Sequence, residues 1–139
     1  MIELDNRTSL KFNIDLLKNI NNFLNKKDIE LIIVDDKEIK EINNTHRNIN
    51  KSTDVLSFPY EDMPMSPLGS IVISSLHVEN LSKELGHTND DEMALLFIHG
   101  LLHLLGYDHE VDNGEMRAKE LLLIEKFNLP KSLIIRTQG

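Results

Sequence analysis

Three histidines dominate the chemistry available to this chain: His99, His103 and His109, in the stretch His99-Gly100-Leu101-Leu102-His103-Leu104-Leu105-Gly106-Tyr107-Asp108-His109. Read as a helix, the stretch sets His99 and His103 one turn apart on the same face. Gly106 can take the left-handed backbone that ends a helix, so the chain can turn there and bring His109 back toward the first two imidazoles. Three nitrogen donors with an open fourth position make a catalytic zinc site; a structural site would fill all four positions, often with thiolates. The chain has no cysteine. A plain helix of core leucines with two incidental histidines would leave the third histidine and the glycine unexplained. An open site of this kind leaves room for a water and lowers its pKa to about 7, ready to attack a phosphodiester, a peptide or an amide.

The residues before the histidines supply the helix that must carry them. Asn89-Asp90-Asp91-Glu92 reads as a helix start, capped by Thr88 or Asn89, with acids in the positive first turn. Met93 to Leu105 is apolar at almost every position, so this helix should be buried on all sides. A buried imidazole needs a partner for each ring nitrogen: a metal on one and a backbone or side-chain acceptor on the other meet that need.

The spacing His-x3-His-x2-Gly-x2-His is shared with a large class of zinc proteases, whose general base is a glutamate directly after the first histidine. Gly100 stands there instead, which argues against a hydrolase of peptides or amides. The wording His-Gly-x-Leu-His-Leu-x-Gly-Tyr-Asp-His resembles the signature of the YbeY family of bacterial metal-dependent endoribonucleases. The resemblance recurs at Arg47, at Ser52-Thr53-Asp54-Val55-Leu56-Ser57-Phe58-Pro59 and at Leu68-Gly69-Ser70-Ile71, and runs from about Ile29 to Phe127. It implies a zinc-dependent endoribonuclease specific for single strands, acting in ribosomal RNA maturation and ribosome quality control. The implied partners are single-stranded, chiefly ribosomal, RNA and the ribosome or its proteins, with no role for DNA or membrane. One Zn2+ per chain is expected on His99, His103 and His109, with Arg47 as a further catalytic residue, since the matching arginine in the family belongs to the catalytic site. A metal-stabilised ribosome assembly factor without turnover is the alternative from outside enzymology. Three positions depart from the family pattern: His46 replaces a usual tyrosine, Ser52 a usual proline and Ser70 a usual aspartate. Ser52 is expected to loosen the loop carrying Arg47, and Ser70 to weaken or retune activity.

Arg47 has a physical rationale of its own, because phosphodiester chemistry needs positive charge where negative charge develops. Asp54 could orient a ligand histidine or cap the start of a strand. Asp108 is a rival ligand to His109. Tyr107 is expected to pack, while His46, His77 and His87 read as surface residues.

Charge is the main objection to a nuclease. The net charge is -8, with 9 basic and 10 acidic side chains in residues 1–60 against 6 and 13 in residues 61–139. No global field steers RNA to such a molecule, so contact must rely on a local basic rim or on a partner. The 139 residues, 40% hydrophobic, suit a single domain spanning 1–139. Absence of cysteine, of a signal-like N-terminus and of any apolar run long enough to span a bilayer leads to the expectation of a cytoplasmic protein.

The rest of the chain must frame the histidine helix. Strands are expected at Ile2 to Asn6, Ile29 to Val34, Asp54 to Phe58 and Leu68 to Ser74, with Pro59 ending the third. Helices are expected over residues 10–27, from the Asp35-Asp36 cap to Asn43-Asn44, from Leu76 to Leu85, and over residues 112–128 with Met116, Leu121, Leu122, Ile124 and Phe127 inward. Thr45 to Ser52 reads as a polar loop. Lys11, Lys18, Lys26 and Lys27 form a solvated face, and Leu133-Ile134-Ile135 in the tail should dock. The expected fold is α+β: a small mixed four-stranded sheet packed against a buried central helix, with other helices around it and a zinc-hydrolase-like site.

Overall fold

Alternating burial along the strands sorts the molecule into layers. The computed structural model describes residues 1–108 and 110–130. Strands β1 (Ile2–Asn6), β2 (Ile29–Val34), β3 (Val55–Pro59) and β4 (Gly69–Ser74) form one sheet in the order β1-β2-β4-β3. β1 and β2 pair in parallel, as do β2 and β4, whereas β3 runs antiparallel to β4 on the far edge. Successive side chains on a strand point to opposite faces. Ile29, Leu31, Ile33, Ile71 and Ile73 accordingly enter the main core, while Val34, Leu56 and Val72 join a smaller cluster on the other side.

Helices cover both faces. The smaller cluster is closed by Ile39 and Ile42 of α2 (Asp36–Arg47). The main core takes Leu17 and Ile20 of α1 (Ile14–Leu24), Val78 of α3 (Ser75–Leu85), and Met116, Leu123 and Ile124 of α5 (Glu115–Lys126). At its centre lies α4 (Asn89–Leu104), which packs on β3, β4, α1, α3 and α5. Among the described residues this is the expected α+β arrangement, with a mixed four-stranded sheet and five helices. No described helix is long and apolar enough to cross a membrane.

α4 begins with a capping box. The Thr88 hydroxyl accepts from the Asp91 backbone N–H at 3.1 Å, and the Asp91 carboxylate accepts from the Thr88 N–H at 3.1 Å. From Glu92 to Leu104 every residue is buried except His99 and His103. Each fully buried Leu, Ile or Phe stabilises by about 1.5–3 kcal/mol, so this helix folds on its apolar contacts without needing a ligand.

Several boundaries differ from expectation for local reasons. α1 starts at Ile14, where the Asn13 side chain caps it by accepting from Asp15 N–H at 3.0 Å, and it stops at Leu24. Lys26 and Lys27 therefore lie beyond the helix, and Lys27 pairs with Asp62 at 2.5 Å. α2 runs past Asn43-Asn44 to Arg47 because Asn43 turns inward and donates its amide to the Lys51 carbonyl at 2.9 Å. The asparagine that stops the helix is Asn48, in the left-handed conformation at φ 57. On α5 the inward stripe is Met116, Glu120, Leu123 and Ile124, so Leu122 faces out and the last turn ends at Lys126. The tail residues Leu133-Ile134-Ile135 lie outside the described residues.

Gly100 is where helix meets sheet. A Cβ there would come within 2.9 Å of Ile71 Cγ2 and 3.3 Å of Ser57 Oγ, and the Gly100 carbonyl accepts from the Ser57 hydroxyl at 3.2 Å. Gly100→Ala should therefore push α4 off β3 and β4 and lower stability by about 1–3 kcal/mol, the usual cost of overpacking a filled core. Denaturant unfolding of the two proteins measures it; an unchanged midpoint would mean that the contact yields freely.

Candidate functional site

The two histidines open the only gap in the buried run of α4, and each is oriented from behind. Leu105 caps the helix, Gly106 follows at φ 99, and two backbone bonds close the turn: Gly106 N–H to His103 O at 3.0 Å and Tyr107 N–H to Leu102 O at 3.0 Å. This is the Schellman pattern, which needs a residue with positive φ where Gly106 stands. It fixes the Tyr107 carbonyl 3.0 Å from Nδ1 of His103. A carbonyl only accepts, so Nδ1 carries the proton and Nε2 presents its lone pair.

His99 is held from a different element. Its Nδ1 lies 3.4 Å from Oε1 of Glu120 on α5. That carboxylate is again an acceptor and favours the same tautomer. The Nε2 atoms of His99 and His103 then face each other at 3.1 Å, with the rings edge to face. In the tautomers that these rear contacts favour, both lone pairs point into the same space, an arrangement that a shared cation would suit. Two nitrogens each about 2.0–2.1 Å from one tetrahedral ion sit about 3.4 Å apart, so the pair has the span of two ligands to one metal. Among the described residues there is no cluster of three metal-ligating side chains; the expected third, His109, lies outside them.

These imidazoles face a cleft of about 620 Å³ walled by the edge strand β3 and by the turn after α4. Arg47 lines the same cleft from the last turn of α2, so histidine and arginine positions distant in sequence meet there. Arg47 is exposed and makes no ion pair among the described residues. Asp54, Asp108 and Glu110 also line the cleft, leaving Arg47 as its one arginine or lysine among the described residues.

The supporting residues resolve several alternatives. Asp54 accepts from the Val55 backbone N–H at 2.8 Å, capping the start of β3. Arg47 stands on a helix rather than in a loop, and Ser52 does not leave its surroundings loose. The Ser52 hydroxyl donates to Asp36 Oδ1 at 2.5 Å, tying the segment after α2 to that helix's first residue. His46 is no loop residue either: it sits on α2 with its ring 5.1 Å from that of Phe58. Tyr107 packs against the main core as expected. His77 is partly buried, with Nδ1 3.0 Å from the Ser74 hydroxyl.

Ser70 lies on the sheet face turned away from α4, between Glu30 and Phe58 in register. There the Tyr60 hydroxyl donates to Glu30 at 2.6 Å, which raises the phenol above its ordinary pKa, while Ser70 pulls the other way. The change from aspartate at this position thus acts on the opposite side of the sheet from the histidines.

Comparison with known proteins finds matches along most of the chain. The family model described as endoribonuclease YbeY matches residues 2–128. A Sulfurimonas denitrificans protein named endoribonuclease YbeY is 66% identical over the whole of both chains. A Nautilia profundicola protein of the same name is 62% identical over 99% of each. Among solved structures, the solution structure of a Thermotoga maritima protein is similar with a TM-score of 0.62 and 30% identity, covering 91% of this chain and 89% of that one.

The geometry makes a direct forecast. The full chain equilibrated with zinc and freed of excess should retain close to one equivalent, and His103→Ala should retain little or none while still unfolding cooperatively. Elemental analysis beside thermal unfolding checks both. Full zinc retention by the variant would remove His103 from the ligand set.

Proposed function

Because this chain belongs to the endoribonuclease YbeY family and is therefore a hydrolase acting on RNA, we propose that His99, His103 and His109 hold one zinc ion and that Arg47 binds the scissile phosphate of a single-stranded RNA. The single observation that carries this reading is the 3.1 Å approach of two Nε2 atoms in a cleft that Arg47 also lines. When bound, zinc would supply Lewis acidity and an activated water. The chain's own residues do the rest. The Tyr107 carbonyl, fixed by the turn at Gly106, holds the His103 tautomer. Arg47 offers paired donors to phosphate oxygens, bonds that strengthen as charge develops in the transition state.

The acidic balance of the molecule fits this division of labour. With three carboxylates lining the cleft, a polyanion is held there only through a bound cation and Arg47. Specificity for ribosomal RNA would then come from the ribosome or its proteins in the cytoplasm, which would supply the counter-charge that this chain lacks. The peptide-hydrolase alternative lacks its base: Gly100 stands directly after His99, and a Cβ there would already press on Ile71 Cγ2 at 2.9 Å.

Arg47→Ala should keep zinc content and stability near wild type yet lose on the order of 10²–10³ in the rate of single-stranded RNA cleavage. Arg47→Lys should recover only part, because lysine keeps the charge but not the planar fork. Cleavage and zinc content measured on the same samples test the assignment. Equal cleavage by all three proteins would remove Arg47 from the site.

A further inference from the structure

We propose that Glu120 is a positioning residue for the metal site: its buried carboxylate holds the proton of His99 on Nδ1 and so keeps Nε2 available to the ion. The proposal rests on the reading of His99 and His103 as metal ligands. Glu120 sits on the inward stripe of α5, between Met116 and the pair Leu123 and Ile124, and is only 5% exposed. A carboxylate in such a stripe is costly unless paired, and an apolar side chain of similar size would pack there more simply. Its carboxylate meets His99, Oε1 to Nδ1 at 3.4 Å, and makes no other ion pair among the described residues.

The two histidines are supported unequally, and this gives Glu120 its importance. His103 is oriented by a backbone carbonyl fixed by the turn at Gly106, which no side-chain substitution at Tyr107 would remove. His99 takes this support from a side chain on another helix. A carboxylate behind a ligating imidazole fixes the ring and raises its basicity, and loss of such a partner typically weakens metal binding about 10–100-fold. Docking of α5 on α4 is thereby coupled to the site, although α5 lines no part of the histidine cleft among the described residues.

The test uses the full chain as wild type, Glu120→Gln and Glu120→Leu, with zinc affinity read by competition against a chromogenic chelator and thermal unfolding recorded without metal. Glu120→Gln keeps the shape and removes the charge; Glu120→Leu completes the apolar stripe. We expect Glu120→Leu to bind zinc about 10–100-fold more weakly, Glu120→Gln, whose amide oxygen still accepts from Nδ1–H, to lose less, and metal-free Glu120→Leu to melt no lower than wild type. If Glu120→Leu fails to fold, Glu120→Ala, which removes the acceptor without adding bulk, takes its place. A folded Glu120→Leu or Glu120→Ala protein with wild-type zinc affinity, whatever its melting temperature, would overturn the positioning role and leave Glu120 a structural residue. Absence of zinc binding by wild type itself would overturn the histidine reading along with it, and is distinguishable because the defect precedes any substitution.

Discussion

Two imidazole nitrogens held face to face at 3.1 Å, each with its other nitrogen turned toward an acceptor, are the constraint on which this structure turns. The neutral tautomers that satisfy the rear contacts point two lone pairs into the same space, an arrangement that a shared cation would suit. Much else serves to hold that pair in place. Leucines, isoleucines and Phe97 bury α4 along its length, so the two side chains project from a rigid element rather than from a loop. The left-handed residue at Gly106 sets the carbonyl behind one ring, and α5 delivers the carboxylate behind the other. Because the apolar contacts already fix the helix, a bound ion is free to serve chemistry rather than folding.

The sheet separates this function from the stabilising work. One face, with Ile71 and Ile73, is pressed so closely by α4 that a Cβ at residue 100 would crowd Ile71. The edge strand β3 contributes both to that contact and to the cleft wall. The opposite face, closed by α2, carries Ser70, Glu30 and the Tyr60 hydroxyl. α2 joins the two regions, since it covers one face with Ile39 and Ile42 and delivers Arg47 to the cleft from its last turn. The ties of Ser52 to Asp36 and of Asn43 to Lys51 hold the chain between Arg47 and β3 against that helix. A molecule with net charge -8 can thus present Arg47 among the carboxylates that line the cleft.

Much of this was legible in the sequence because periodicity and spacing are local. The pair His99 and His103, the cap at Thr88, the glycine stop and the four strands all follow from patterns within a few residues. The ends of α1 and α2 were less legible because several asparagines could end a helix, and tertiary packing decides which one does. Asn43 was claimed by a buried hydrogen bond, which left Asn48 to turn the chain. Glu120 went unnoticed for a related reason. A glutamate on a helix usually faces water, and only the positions of Met116, Leu123 and Ile124 around it reveal an acid inside an apolar stripe. Nothing local says which histidine such an acid would meet.

The most direct test is the protonation pattern of the two rings, read by nitrogen-15 NMR of the histidine side chains as zinc is added. The account predicts that His99 and His103 both retain a proton on Nδ1 while both Nε2 resonances shift together on binding, with saturation at one ion per chain. Zinc-induced shifts at Nδ1, or shifts in neither ring when the protein is loaded, would contradict it.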